Sequence, residues 1–163
     1  MNKWERRVLG ILALGGSFLG LALGSGLLVS TNSLLTGFLL VPFLGMYVWG
    51  IWCGTSLLEQ RENSVRANVM FWVVQIPYLT SPIVGYNFAS GSLVYVTYMP
   101  STSSPGLLYR FGSQFEYSLL KTGTPFIFGI NILAIAVVFW LTYRLRAAPP
   151  NNSFKPSPHQ GGA

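Results

Sequence analysis

Between Arg7 and Glu59 the chain runs for fifty-one residues without an acidic side chain, a basic side chain or a histidine. A helix that crosses a bilayer needs about 20 predominantly apolar residues, so this stretch is long enough for two crossings. The polar segment 30–33, Ser-Thr-Asn-Ser, is the natural turn between them. The sequence therefore predicts two transmembrane helices, at about residues 8–29 and 34–58.

The first apolar run follows Lys3, Arg6 and Arg7, which is also the pattern of a cleaved signal peptide. Its 22 residues, Val8 to Val29, exceed the usual apolar core of such a signal, about 7 to 15 residues, and no A-x-A motif follows. We therefore expect the helix to be retained.

Composition supports a membrane protein. Charged residues make up 9% of the chain, against about 25% in a typical globular protein, and the mean hydropathy is +0.49. The net charge of +6 does not indicate nucleic-acid binding, because the basic residues lie in small groups at the ends of apolar runs. The bilayer itself is the partner that the composition predicts.

Glycines in the first two helices follow a four-residue spacing, at Gly16, Gly20 and Gly24 and again at Gly50 and Gly54. Small residues at this spacing share a helix face and let another backbone approach closely. The face serves either as an oligomerisation surface or as a packing surface for another helix of the same chain. Both interpretations predict helix packing at these positions.

A third crossing is predicted at about residues 66–86, although Pro77 and Pro82 both fall inside it. Two prolines at this spacing either kink the helix or end it early. A broken helix in lipid exposes polar groups that protein or water must cover. The candidate polar site inside the membrane comprises Gln75, Tyr78, Thr80, Ser81 and, from the last helix, Asn131, for which Gln75 is the expected partner.

The segment at about 92–120 has a different pattern. Residues 93–99 are β-branched or aromatic apart from Leu93 and Met99, which favours a strand. A loop rich in serine, threonine and proline follows at 100–105. We expect a small β element on the outer surface of the membrane.

A hairpin is predicted around residues 112–114, Gly-Ser-Gln. The favoured register sets Phe111 opposite Phe115 and Arg110 opposite Glu116, and both pairs are favourable across strands. A two-residue turn would instead set Arg110 against Phe115.

The last crossing is predicted at about 125–143, opening on Thr124-Pro125. Residues 148–163 have too little apolar content to pack and are expected to be a disordered tail that includes His159, the one histidine. The part at 151–158 resembles short C-terminal extensions of uncharacterised bacterial proteins.

The basic residues predict the orientation of the chain in the membrane. With four crossings, eight of the ten fall on the side of the termini, and Arg110 and Lys121 fall on the other. The positive-inside rule then places both termini and the loop after Glu59 in the cytoplasm. The expected location is a bacterial cytoplasmic (inner) membrane.

No catalytic constellation is visible in the sequence. The four acidic residues, Glu5, Glu59, Glu62 and Glu116, lie at or outside the predicted membrane boundaries, and Cys53 stands alone in an apolar run. We therefore expect no catalytic residues, no cofactor and no metal site.

The predicted fold is an all-α membrane protein, a four-helix transmembrane bundle within residues 1–147 with a small extracytoplasmic β-hairpin or meander between helices 3 and 4. The predicted function is a non-enzymatic accessory or assembly component, which contacts a membrane-protein partner or a second copy through its helices or its aromatic strands. A small transporter or channel subunit that uses the proline-broken third helix is the alternative. An enzyme acting on lipid-linked substrates through Glu116 or Arg110 ranks third.

Overall fold

A computed structural model describes residues 2–119 and 123–146 of the chain, and within them it contains four helices and six strands. The predicted tail, residues 148–163, lies outside the described residues. The helices are α1 (Lys3–Ser30), α2 (Leu34–Leu58), α3 (Ser64–Val73) and α4 (Ile132–Arg146). The strands are β1 (Pro77–Thr80), β2 (Val84–Ala89), β3 (Ser92–Met99), β4 (Ser104–Phe111), β5 (Gln114–Leu119) and β6 (Ile127–Asn131).

The charge-free stretch forms α1 and α2, which pack closely against each other along their lengths. Ser33 caps α2, its hydroxyl accepting a hydrogen bond from the backbone N–H of Thr36 at 3.4 Å. Among the described residues, α1 and α2 are the two helices long and apolar enough to cross a membrane. Many of their large apolar side chains are exposed.

The predicted third transmembrane helix is wrong. α3 is ten residues long and ends at Val73. The backbone then turns through Gln75 and Ile76, whose N–H groups donate to the carbonyl oxygens of Trp72 and Val73. Pro77 then opens β1. Proline is tolerated as the first residue of a strand, and its missing N–H removes a bond that a continuing helix would need. The helix therefore ends early rather than kinking.

The predicted fourth transmembrane helix is also wrong in its first half. Residues 127–131 form β6, which pairs antiparallel with β3 on one side and with β1 on the other. α4 begins only at Ile132. The start of this apolar run has no helical periodicity that distinguishes it from a buried strand. It forms a strand because it pairs with both β1 and β3.

The all-α fold class is therefore a wrong prediction. The six strands form one sheet in the order β4-β3-β6-β1-β2-β5, in which every neighbouring pair is antiparallel. It is an open half-barrel rather than a small surface hairpin.

The hairpin predicted around residues 112–114 does not form, because β4 pairs with β3 and β5 pairs with β2. The connection is held elsewhere: Gly112 donates its N–H to the carbonyl oxygen of Gly91 at 2.8 Å, and the Ser113 hydroxyl donates to the carbonyl oxygen of Gly16. The pairing of β4 with the preceding strand β3, and of β5 with the more distant β2, has replaced the expected pairing of Arg110 with Glu116.

The sheet must curl, because its two edge strands, β4 and β5, are joined by Gly112 and Ser113 alone. The edges are therefore close at this end of the sheet and leave a gap between them. The alternation of side chains along each strand gives the curl an outer face and an inner face. The outer face is apolar and includes Val96, Tyr98, Leu107, Tyr109, Phe111, Phe128 and Ile130, all of them exposed.

The remainder of the outer face packs on the helices through aromatic rings. Phe43 of α2 lies 5.9 Å from Phe115 between ring centroids, and Tyr47 lies 4.9 Å from Phe88. Phe71 of α3 contacts Phe88 edge-on. These rings form the main hydrophobic core of the protein. Half of the curled sheet is thus held against the helices, and the described part of the chain leaves the other half uncovered.

The start of α1 and the end of α4 lie side by side, because Glu5 and Arg144 form an ion pair that is about one-third exposed or less on both side chains. Arg144 also stacks over the ring of Trp140. The two ends of the described chain therefore lie at the same end of the molecule.

Candidate functional site

A polar cavity of about 270 Å³ lies inside the curl of the sheet. Its lining comes from β1, β2, β4 and β5, and since β4 is not a neighbour of β1 or β2 in the sheet, only the inside of the curl brings these strands together. We call it the inner cavity. Its lining residues are Tyr78, Asn87, Leu108, Arg110, Ser113, Gln114, Phe115 and Glu116.

Tyr78, which lines the inner cavity, packs against a second tyrosine. The rings of Tyr78 and Tyr95 lie 4.9 Å apart between centroids, and the Tyr95 hydroxyl donates to Oδ1 of Asn87 at 2.7 Å. This hydrogen bond holds the Asn87 amide in place.

Two opposite charges stand on the two edges of the gap. Arg110 lies on β4 beside Leu93 of β3, and Glu116 lies on β5 beside Asn87 of β2. Both are exposed. The ion pairs formed within the described residues are Arg61–Glu59 and Arg144–Glu5, so neither Arg110 nor Glu116 is neutralised there. The inner cavity thus carries a cationic donor and an anionic acceptor.

An apolar groove of about 480 Å³ adjoins the same turn from the outside. It runs along α1 and ends against the sheet at the tips of two strand connections. We call it the α1 groove. It is lined by Val8, Ile11, Leu12, Gly15, Gly16, Leu19, Gly91, Phe111 and Gly112.

The predicted polar site is only partly brought together. Tyr78 lines the inner cavity and Thr80 lies two residues farther along β1, hence on the same face. Ser81 instead holds the turn after β1, accepting from the N–H of Val84 at 3.0 Å and donating to its carbonyl at 2.7 Å. Of these three residues, one contributes to the cavity wall.

Gln75 and Asn131 are not partners. Gln75 accepts from the backbone N–H of Ser90 at 2.8 Å and donates to the carbonyl of Phe71 at 3.2 Å. Oδ1 of Asn131 accepts from the N–H groups of Val94 and Ala134, both at 3.3 Å, so it caps α4 and ties the helix to β3. Both buried amides satisfy backbone groups, which is a structural role.

The glycines predicted for helix packing have their neighbours inside the chain. A Cβ added at Gly16 would lie 2.3 Å from the backbone nitrogen of Gly91, closer than any real Cβ contact. Corresponding distances at the other positions are 2.2 Å from Tyr47 at Gly20, 2.7 Å from Leu44 at Gly24, 2.1 Å from Ser17 at Gly50 and 2.8 Å from Gly10 at Gly54. The glycine face of α1 is thus covered by α2 and the sheet, and the glycine face of α2 is covered by α1 and α3.

The inner cavity offers side chains that can form hydrogen bonds and ion pairs with a bound group. No group of three histidine, cysteine, aspartate or glutamate side chains able to hold a metal occurs in the described part of the chain, and Cys53 is buried in the helical core. Arg110 supplies a fork of donors, Glu116 supplies acceptors, and the Gln114 amide supplies both. Comparison with protein-family models, with curated proteins and with solved structures finds no match for this chain.

Sequence reasoning named Arg110 and Glu116 as a pair but placed them across a surface hairpin, and it missed Asn87 and Gln114. A signal was present. Leu108 and Arg110 alternate with outer-face residues along β4, as Gln114 and Glu116 do along β5. Such alternation in a half-buried strand marks one polar face.

Proposed function

We propose that the chain is an integral membrane protein of a bacterial cytoplasmic membrane. In this proposal α1 and α2 each cross the bilayer completely, and both termini lie in the cytoplasm. The apolar exposed surfaces of α1 and α2 support this placement. So does the position of the Glu5–Arg144 pair at the end of the molecule that carries most basic residues.

In that placement the sheet sits at membrane depth. α1 has 28 residues, about 42 Å at 1.5 Å per residue, close to the full thickness of a bilayer. The Ser113 hydroxyl bonds to Gly16, about halfway along α1. β4, which ends next to this level, is about 26 Å long. It is therefore long enough to reach from the middle of the bilayer to its outer surface.

As function we propose a non-enzymatic assembly component, which binds an extended segment of another membrane-embedded chain at the edge of β4. The observation that carries this proposal is the outer edge of β4, which pairs with no other strand within residues 2–119 and 123–146. The outer-face side chains along it, Leu107, Tyr109 and Phe111, are 73%, 63% and 78% exposed.

The register identifies which backbone groups are free. Gly112 donates to Gly91, and this pair precedes Ser92 and Phe111 in the β3–β4 ladder. Hydrogen-bonded pairs alternate along an antiparallel ladder, so Leu107, Tyr109 and Phe111 direct their N–H and C=O groups away from β3. Each backbone group left unpaired in hydrocarbon costs several kcal/mol. A partner strand would satisfy them, which is the usual mode of β-augmentation.

The test places a photo-reactive phenylalanine analogue at Leu107 and, as a lipid-facing control, at Val48 of α2 in native membranes. We expect a protein adduct of one defined mass from Leu107 and lipid adducts from Val48. Replacing Tyr109 with Pro removes one outward N–H while sparing the bonds to β3, and should reduce the Leu107 adduct about fivefold or more. Tyr109→Phe is the matched variant that keeps the N–H.

Loss of the adduct in Tyr109→Pro but not in Tyr109→Phe, with unchanged thermal unfolding, supports strand addition. An adduct of twice the chain mass identifies a second copy as the partner. Equal yields from the two variants, or only lipid adducts at Leu107, would rule the proposal out.

A small transporter or channel subunit is the second candidate, and the inner cavity is the observation that favours it. The conduit would lie in the curled sheet, because α3 ends before Pro77. Single cysteines at Tyr78, Asn87 and Gln114 in a Cys53→Ser background should react with a membrane-impermeant maleimide from outside if the cavity is water-filled. Protection of all three positions would reject a conduit.

A further inference from the structure

The inner cavity and the α1 groove lie on the two sides of a single turn. Arg110 and Ser113 line the inner cavity, whereas Phe111 and Gly112, interleaved with them in the chain, line the α1 groove. The gap between β4 and β5 begins beside this turn, where Gly112 and Ser113 join the two strands. A molecule that lay in the gap next to the turn would contact both surfaces.

The two surfaces differ sharply in polarity. All side chains lining the α1 groove are apolar, and its other lining residues are glycines. Six of the eight residues lining the inner cavity are polar, and two of them are charged. A ligand that fits both must be an amphiphile, with a polar group of cavity size attached to a long apolar chain.

We propose that the inner cavity and the α1 groove together bind one zwitterionic phospholipid that carries a primary ammonium group, such as phosphatidylethanolamine. The Arg110 guanidinium binds the phosphate, the Glu116 carboxylate accepts from the ammonium, and one acyl chain lies along α1 beside Gly15. The site is formed by one copy of the chain and does not depend on a partner strand.

Charge selects this headgroup. An ionisable side chain at membrane depth is costly unless it is paired, and the gap holds one of each sign. A guanidinium matches the phosphate oxygens in a bidentate fork. A phosphatidylglycerol headgroup would leave Glu116 without a counter-charge, and a choline headgroup offers no N–H to donate to it. A primary ammonium satisfies both residues.

Size agrees with this assignment. A water molecule occupies about 30 Å³ in the liquid, so the inner cavity of about 270 Å³ has the volume of about nine waters. A phosphoethanolamine group has a similar number of heavy atoms. The α1 groove, at about 480 Å³, has room for a segment of acyl chain.

The test is native mass spectrometry of the detergent-purified full chain with an equimolar mixture of phosphatidylethanolamine, phosphatidylglycerol and phosphatidylcholine of identical acyl chains. We expect phosphatidylethanolamine to be retained preferentially. Glu116→Gln should lower the ratio of phosphatidylethanolamine to phosphatidylglycerol about tenfold or more, since a hydrogen bond to a charged group is lost. Arg110→Gln should weaken binding of both lipids, because both carry the phosphate.

The matched controls are Glu59→Gln and Arg61→Gln, which make the same charge changes in an exposed pair outside the site. They should leave the lipid ratios unchanged. Gly15→Leu, which projects into open space in the α1 groove, should reduce retention of long-chain phosphatidylethanolamine. The same variant should not change binding of soluble glycerophosphoethanolamine, so the two sources of the headgroup are distinguished.

Equal retention of the three lipids by the folded wild-type protein would overturn the proposal. So would equal effects of Glu116→Gln and Glu59→Gln on the lipid ratios. Thermal unfolding of each variant identifies any that fail to fold. Neither result bears on crosslinking at Leu107, so the partner proposal and the lipid proposal fail separately.

Discussion

Gly16 of α1 lies against the connection between β2 and β3. Among the glycines of the described residues it makes the closest approach between a helix and the sheet, and adding one methyl group tests that approach. A Cβ at Gly16 would lie 2.3 Å from N and 2.6 Å from Cα of Gly91, and 2.7 Å from the carbonyl carbon of Ser90. All three atoms are backbone, so no side-chain rotation relieves the clash. Ordinary van der Waals contact begins at 3.4 Å, so Gly16→Ala requires the sheet to move by about 1 Å.

The neighbouring glycine supplies the control. Gly15 has no heavy atom within 4 Å of an added Cβ, and both substitutions gain the same helix propensity, about 1 kcal/mol. The difference in free energy of unfolding between Gly16→Ala and Gly15→Ala therefore isolates the clash, which for overpacking is about 1–3 kcal/mol. In thermal unfolding of the purified protein this corresponds to a Tm difference of about 2–12 °C.

Gly16→Ala should also weaken the hydrogen bonds between α1 and the strand connections next to it. The Ser17 and Ser90 hydroxyls lie 2.9 Å apart, and the Ser113 hydroxyl bonds to Gly16 itself. Tm values for Gly15→Ala and Gly16→Ala that agree within about 1 °C would refute the close approach of α1 to the sheet.

Two further predictions concern buried hydrogen bonds. Tyr95→Phe leaves Oδ1 of Asn87 without its donor and should lower the free energy of unfolding by about 1–3 kcal/mol. An unchanged denaturant midpoint would contradict the hydrogen bond between Tyr95 and Asn87. Gln75→Leu leaves the N–H of Ser90 without an acceptor and should cost about 1–3 kcal/mol in the same assay. Gln114→Leu at the cavity lining should change stability by less than about 0.5 kcal/mol, and equal losses for both variants would argue against the assigned role of Gln75.

The long helices were predictable because their signal is local. An uninterrupted charge-free stretch broken only by residues 30–33 leaves few alternatives to two long apolar helices, and α1 and α2 form there. Pro77 correctly indicated that the third apolar run need not continue as a helix, but the neighbouring sequence does not indicate that a strand replaces it. The strand forms because β1 pairs with β6, about 50 residues later in the chain.

The sheet was less predictable because three of its five strand pairings, β1–β6, β3–β6 and β2–β5, join strands far apart in the chain. Local complementarity favoured a hairpin of Arg110 with Glu116, yet β4 and β5 each gain a full ladder by pairing with other strands. The run from Ile127 to Asn131 is too short and too uniformly apolar to reveal its state. Even a correct assignment of helices and strands would not have predicted the inner cavity. The cavity depends on the curl of the sheet, and the curl follows from the order of the strands.

The strand order has a consequence for biosynthesis. β6 is the last of the six described strands to be synthesised, yet it lies between β3 and β1 and joins β4-β3 to β1-β2-β5. Until residues 127–131 leave the ribosome, the nascent chain holds two separate fragments of sheet with exposed edges, a state prone to wrong pairing. Completion of the sheet is therefore a late, non-local step, and a chain truncated before Ile127 should be a substrate for membrane proteases.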